Sequence, residues 1–294
     1  LYKKNMIYQN VGFCCTTINP GSSILEKNIK KWKNKKIFVS LDTKSNRKKR
    51  IYNHFIEFDR KPLSGYEKIC PFNSYSRKNI AFIEASQNNC DYIFETDDDN
   101  LIDNKFFQNN LNEYFIKKGK RYRFGENLFS KIYLTKDNIW ARGFPLKWLE
   151  IKDNRKVSDK AEKNFSVGIV QFLVRGNPDV DAIFRLVKSN AIDLKIKKNS
   201  LPILIYKTFH PFNSQATLWP KRNYDLMYLP STCDFRMSDI WRGYIAQKIL
   251  YNFEECIKFD HAMVRQVRNE QYIFENFFSE HRGYIQSEYL TNFL

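Results

Sequence analysis

The sequence predicts an α/β fold with a mixed, mostly parallel central sheet flanked by helices, and three observations predict it. Short apolar, β-favouring runs alternate with helical segments from residue 11 to about residue 100. Each run ends in polar loop chemistry, at Asn19-Pro20-Gly21, at Asp42 and at Asp97-Asp98-Asp99. Strands separated by helices of about ten residues form βαβ units, whose ligands bind beyond the carboxyl ends of the strands. All three loops fall there.

Taken in order, Val11 to Ile18 is the first strand, and Ser22 or Ser23 is positioned to cap a helix from Ile24 to about Lys33. Lys36 to Asp42 is the second strand, closed by a basic loop. Ser76 to Gln87 has helical spacing, and Asp91 to Thr96 is a third strand running straight into the aspartates. Phe106 to Lys118 predicts a helix, and Arg142 to Leu146 is turn-rich. Strand and helix return at Gly168 to Val174 and Pro178 to Val187, with a further strand from Leu201 to Tyr206. A helix from Ser238 to Phe253, with Ser238 as its cap, and a terminal helix from Tyr272 to Leu294 docked by its aromatic residues complete the reading. Neither an internal repeat nor a low-complexity linker interrupts it. One continuous unit, residues 1–294, is therefore expected, with two halves that divide at about residue 100 and C-terminal helices in the second.

Composition bounds the function. With 25 Phe and 17 Tyr but 10 Gly among 294 residues, the chain reads as packed and globular. The net charge of +17 would attract nucleic acid, an anionic membrane surface or a polyphosphorylated small molecule. Lys and Asn are used heavily throughout, however, and the basic runs Lys27 to Lys36 and Lys44 to Arg50 lack the aromatic interleaving of a single-strand platform. A nucleic-acid partner is not expected; peripheral contact with an anionic membrane stays open. The six cysteines show neither CxxC pairs nor zinc-like spacing, so a reducing, cytoplasmic setting is expected. No apolar run approaches the roughly 20 residues of a membrane span. The Leu1-Tyr-Lys-Lys start reads as a trimmed chain, which leaves room for an upstream anchor and a lumenal setting.

The aspartate triplet carries the chemistry. Adjacent carboxylates repel one another unless they share a cation. Mg²⁺ or Mn²⁺ takes carboxylate oxygens while keeping positions for phosphate and water. Asp97 and Asp99 can converge on one ion while Asp98 points elsewhere. An exposed acidic turn is the competing reading, since Asp and Asn favour turns for local reasons. Its place at a strand end favours the ion.

Ser76 to Ile80 together with Tyr92 to Asn100 resembles the core signature of the STELLO family, a glycosyltransferase-like group. The resemblance continues through Arg142 to Leu146, Gly168 to Gln171, Gly176 to Leu186, Phe212 to Thr217, Leu229-Pro230, Arg236 to Gly243 and Gln266 to Asn269. It implies a Rossmann-like nucleotide-diphospho-sugar transferase fold of the A type, with the triplet as its DxD motif and Mn²⁺ or Mg²⁺ as cofactor. It further implies a nucleotide-sugar donor, bound by the half to about residue 100, and a glycan, lipid-linked or protein acceptor, bound by the half from about 101 to 294.

The same resemblance ranks the remaining candidates. Asp239, at a helix start, takes the place of an acidic residue that meets the acceptor hydroxyl, although a carboxylate in a first helical turn needs no function. Arg142 and Arg236 are candidates to pair with diphosphate oxygens, each with a structural salt bridge as its alternative. Thr16, Thr17, Asn19, Asp42 and Lys44 occupy the loops where such folds hold base and ribose. Arg77, Asp97 and Asp98 join them on the donor side, and Asn213 and Gln215 offer amides for sugar or base. One of Asp179 and Asp181 caps a helix, leaving the other for sugar hydroxyls. His261 is the candidate third metal ligand, although a lone His is more often structural. A nucleotidyltransferase and an inactive scaffold are the rival readings.

Overall fold

Val11–Thr17 (β1) is buried at every residue, because it has strands on both edges and helices on both faces. Its ladders to Lys36–Leu41 (β2) and Tyr92–Thr96 (β3) are both parallel, as the βαβ pattern requires. This computed structural model describes residues 10–19, 21–32, 36–42, 65–118, 120–122, 139–149, 165–177, 179–188, 201–267 and 272–294. Lys44, His54 and the basic run from 44 to 50 lie outside them.

Between β1 and β2 runs Ser23–Lys31 (α1), capped by the Ser22 hydroxyl accepting from Leu25 N–H. Gly65–Ile69 (α2) and Lys78–Gln87 (α3) precede β3. Asn100–Ile102 (β4), Asn104–Gln108 (α4), Leu111–Tyr114 (α5) and Lys120–Tyr122 (β5) follow it. The second half contributes Ser166–Gly176 (β6), Ala182–Lys188 (α6), Ile203–Ile205 (β7), Ala216–Pro220 (β8), Ser238–Asn252 (α7), Glu255–Gln266 (β9) and Ile273–Phe293 (α8). The strands form one mixed sheet in the order β2-β1-β3-β8-β6-β9-β7-β5, with β4 on β9. Most of its paired residues lie in parallel ladders, β6 with β9 being the longest.

Two apolar layers cover the sheet. On one face Leu25, Ile29 and Trp32 of α1 pack with Phe13, Phe94 and Phe106. On the other, Ile80, Ala81 and Ala85 of α3 meet Ile93, Trp219 and Leu250. Cys14, Cys15 and Cys256 are buried among them as small hydrophobes.

Three expectations need correcting. The segment from Phe106 to Lys118 is not one helix: Asp103 caps α4, and Asn110 restarts the chain as α5 by accepting from Asn112 N–H. Ser238 is the first residue of α7 rather than its cap, and its hydroxyl turns back to the Phe235 carbonyl. The terminal helix does not dock by its aromatics. Its buried face is Glu280, Gly283, Ser287 and Thr291, while Phe274, Phe278, Tyr289 and Phe293 stay exposed. Glu280 pairs with Arg236, and Gly283 admits Met237, whose Sδ would lie 2.4 Å from any Cβ there. Sequence inspection also missed α2, β4, β5, β8 and β9.

A buried ion pair joins the halves. Glu95, in β3, accepts from Arg242 of α7 at 3.3 Å and from Trp219 Nε1 at 2.8 Å, with both charged side chains almost fully enclosed. Removing one partner strands the other charge in the core. Arg242→Met is expected to cost about 3–5 kcal/mol in a denaturant titration, and the Glu95→Gln/Arg242→Met double variant clearly less.

Candidate active site

The loops after β1, β2 and β3 open into one cavity of about 900 Å³. Thr16, Thr17, Asn19, Asp42, Asp97, Asp98, Asp99, Arg142, Gln215, Arg236 and Asp239 all line it, so most of the sequence candidates come together. Four do not. Arg77 is buried and spends its guanidinium on the Leu41 and Cys70 carbonyls. Asn213 lies behind the wall, donating to Asp179 and Gln215. His261, in β9, contacts its neighbour Asp260 at 3.0 Å and does not line the cavity. Lys44 falls outside the described residues.

The aspartate row is held differently at each position. Asp97 Oδ1 accepts from Tyr75 Oη and from Lys78 Nζ, each at 2.7 Å, and its Oδ2 takes part in neither contact. Asp98 is gripped by the β1–α1 loop: the Thr17 hydroxyl donates to its carboxylate and the Ser22 hydroxyl to its carbonyl. Asp99 Oδ2 accepts from Gln266 Nε2 at 3.0 Å. Burial is the main force raising the Asp98 carboxyl above its ordinary range, opposed by Thr17. Burial likewise raises Asp42, whose Oδ1 accepts from Ser74 N–H at 2.7 Å. Burial, and after it the charge of Asp97, pushes the Tyr75 phenol up, so it remains a donor.

The donors here are all oxygens, the set a hard divalent cation takes. Among the described residues no three His, Cys, Asp or Glu side chains group as a metal cluster. The arrangement fits an ion held by one or two carboxylates and completed by phosphate and water, as Mg²⁺ usually is.

The opposite wall is an arginine–carboxylate lattice. Arg142 meets Asp239 through two parallel bonds of 3.0 Å, and Asp179 through Nε at 2.9 Å and Nη2 at 2.7 Å. Nη1 also donates to the Arg236 carbonyl. All five N–H donors of its fork are thereby engaged. Burial alone would lower its pKa; Asp179 and Asp239 outweigh that and keep it charged. Arg142 thus braces Asp239, which further accepts from Ser214 N–H and Ile240 N–H. Gly143 makes the approach possible: its φ is 86°, and a Cβ there would sit 2.3 Å from Ile240 Cγ2. Arg236 binds Glu280 through Nε and Nη2 and reaches Asp179 at 3.5 Å, leaving Nη1 outside these contacts. Asp181 is the cap of α6, accepting from Phe184 N–H, whereas Asp179 lines the cavity.

Sequence reasoning missed Tyr75, Lys78, Phe235 and Gln266. Lys78 carried a signal: it shares the buried helix face with Ala81 and Ala85, where an unpaired ammonium could not stay. The others become site residues only through long-range packing.

With this geometry in place, the chain is similar to two plant proteins, the probable glycosyltransferases STELLO1 and STELLO2 of Arabidopsis thaliana. Each is 25% identical over 231 residues, covering 73% of this chain. The match spans 28% of the length of either relative. No family model matches the chain.

Behind the lattice, burial raises the Asp181 carboxyl to about 7, against bonds from Phe184 N–H and Trp140 Nε1. A raised acid pKa means the folded state holds a proton the unfolded chain has lost, so stability falls as the pH climbs through that interval. The thermal midpoint is expected to drop between pH about 4 and about 7. Calorimetric scans of Asp181→Asn, which lacks the titration, should show a flatter profile.

Proposed function

We propose that this chain, a member of the STELLO family, is a metal-dependent glycosyltransferase that moves a sugar from a nucleoside-diphosphate-sugar donor to a glycan, lipid-linked or protein acceptor. The observation that carries the reading is the convergence of the Asp97–Asp99 row and Asp239 on one cavity at the carboxyl ends of β1, β2 and β3. Its relatives being far longer, the reading rests on these residues rather than on their names.

Charge supports the metal. Six aspartates line the cavity against two arginines, and Arg142 is engaged by two carboxylates and the Arg236 carbonyl. A nucleoside diphosphate, itself an anion, would be repelled by such a wall unless a divalent cation accompanied it. Asp97, through its Oδ2, and Asp99 would hold that ion. When bound, it supplies neutralising charge to the departing diphosphate.

The chain's own residues do the rest. Thr16, Thr17, Asn19 and Asp42 form the wall for base and ribose. Arg236 Nη1 is a donor left for a phosphate oxygen, the part for which Arg142 no longer has a free N–H. Asp239, fixed by Arg142 and by two backbone N–H groups, meets the acceptor hydroxyl and orients it toward the anomeric carbon. There a new C–O bond forms as the bond to the diphosphate breaks, and the hydroxyl proton passes to the Asp239 carboxylate. Gln215 offers its amide to sugar hydroxyls.

In an Asp97→Ala/Asp99→Ala variant, Mn²⁺-dependent binding of nucleoside diphosphates should disappear from calorimetric titrations; unchanged binding would overturn the assignment. Turnover should release a nucleoside diphosphate, whereas pyrophosphate from a nucleoside triphosphate would mark a nucleotidyltransferase. Asp239→Asn should retain nucleotide binding while kcat falls by about 10²–10⁴; an undiminished kcat would remove Asp239 from the reaction.

A further inference from the structure

Phe235 is an anomaly in the cavity wall. Its ring is 55% exposed although it lines a concave, carboxylate-rich site. It is not loose: it meets the Tyr75 ring edge to face at 5.3 Å, and Tyr75 in turn holds Asp97. The Phe235 carbonyl accepts from Ser238 at the start of α7, one residue before Asp239. A fixed apolar ring therefore lines the same cavity as the carboxylate proposed to meet the acceptor.

Three acceptor classes fit the reading above, and the chemistry of this wall separates them. A lipid-linked acceptor brings a phosphate. At this end of the cavity that phosphate would face Asp239 and Asp179, with Arg142 spent on both and Arg236 drawn to Glu280 and Asp179. Among the described residues lining the cavity, no lysine and no third arginine offsets them. With Arg236 Nη1 given to the donor's diphosphate, a second anion meets no further cation among the described residues of this wall. A polypeptide acceptor can rest a side chain on the ring, yet it brings a single hydroxyl to the carboxylates and amide around it. A neutral saccharide matches each feature: its ring carries a C–H face that stacks on an aromatic side chain, and hydroxyls on its edges that donate to carboxylates and amides.

From this the geometry points to an uncharged glycan as the acceptor, with its terminal sugar stacked on Phe235 and its attacking hydroxyl held by Asp239. This inference rests on the glycosyltransferase reading and narrows it to one acceptor class. Phe235 acts by stacking, so an aromatic replacement preserves the platform and alanine removes it.

The test uses the purified chain with Mn²⁺ and either UDP or GDP. Saturation-transfer NMR follows a panel of neutral trisaccharides (cellotriose, maltotriose, xylotriose) and one lipid phosphate, citronellyl phosphate. Parallel calorimetry of the same variants reports nucleotide binding. At least one trisaccharide is expected to bind through its ring C–H protons. Its affinity should fall about tenfold in Phe235→Ala and be restored in Phe235→Tyr, while nucleotide affinity is retained. The inference is overturned if no trisaccharide binds, if Phe235→Ala leaves trisaccharide affinity untouched, or if citronellyl phosphate binds in preference to the sugars. Loss of nucleotide affinity in Phe235→Ala would overturn it as well, by assigning the ring to the donor. Failure of the wild-type chain to bind either nucleotide with Mn²⁺ counts instead against the donor reading; the trisaccharide results judge the acceptor independently.

Discussion

The placement of the site depends on one enclosed carboxylate. Glu95 precedes the aspartate row by two residues on the same strand, and its partner Arg242 follows Asp239 by three on α7. An ion pair excluded from water tolerates little displacement, because separating the charges leaves both unsolvated. Trp219 and Ser214 add donors from the segment between. The distance between the aspartate row and Asp239, on opposite walls of the cavity, is thus set by an interaction outside the cavity lining.

Around that constraint the two walls are built on opposite principles. The row at the end of β3 is fixed by hydroxyls, an amide and one ammonium, each taking part of a carboxylate. The wall at α7 is a closed lattice in which Arg142 saturates itself on Asp179 and Asp239. One wall remains a set of oxygens able to accept a cation; the other is rigid and largely self-neutralised. Sugar transfer needs that division of labour: flexible coordination at the leaving group and fixed orientation at the nucleophile.

The first three strands were legible in the sequence because their signal is local. Apolar runs, a serine cap and loop residues predict βαβ units, and parallel pairing then carries Asn19, Asp42 and Asp97 to one edge without further information. The second half resisted for equally physical reasons. In β9 the buried Lys258 and Asp260 break the apolar alternation, and register shifts between Val167 and Ile169 and between Phe172 and Val174 disturb its ladder with β6. Arg142 reads as a phosphate ligand until it is seen to have no donor left. Phe235 carries no local signal, because only its packing against Tyr75 brings the ring to the cavity. His261 was proposed by analogy with late histidines, and its position in mid-strand beside Asp260 keeps it from the cavity.

Lys78 has a consequence of its own. Its ammonium, wholly enclosed and shared among Asp97, Tyr75 and the Ser214 carbonyl, is a counter-ion made of protein. The acidic floor therefore does not rely on solutes for its cohesion. Even without a bound solute, the carboxylates have an internal reason not to spring apart, and the floor of the cavity keeps its shape.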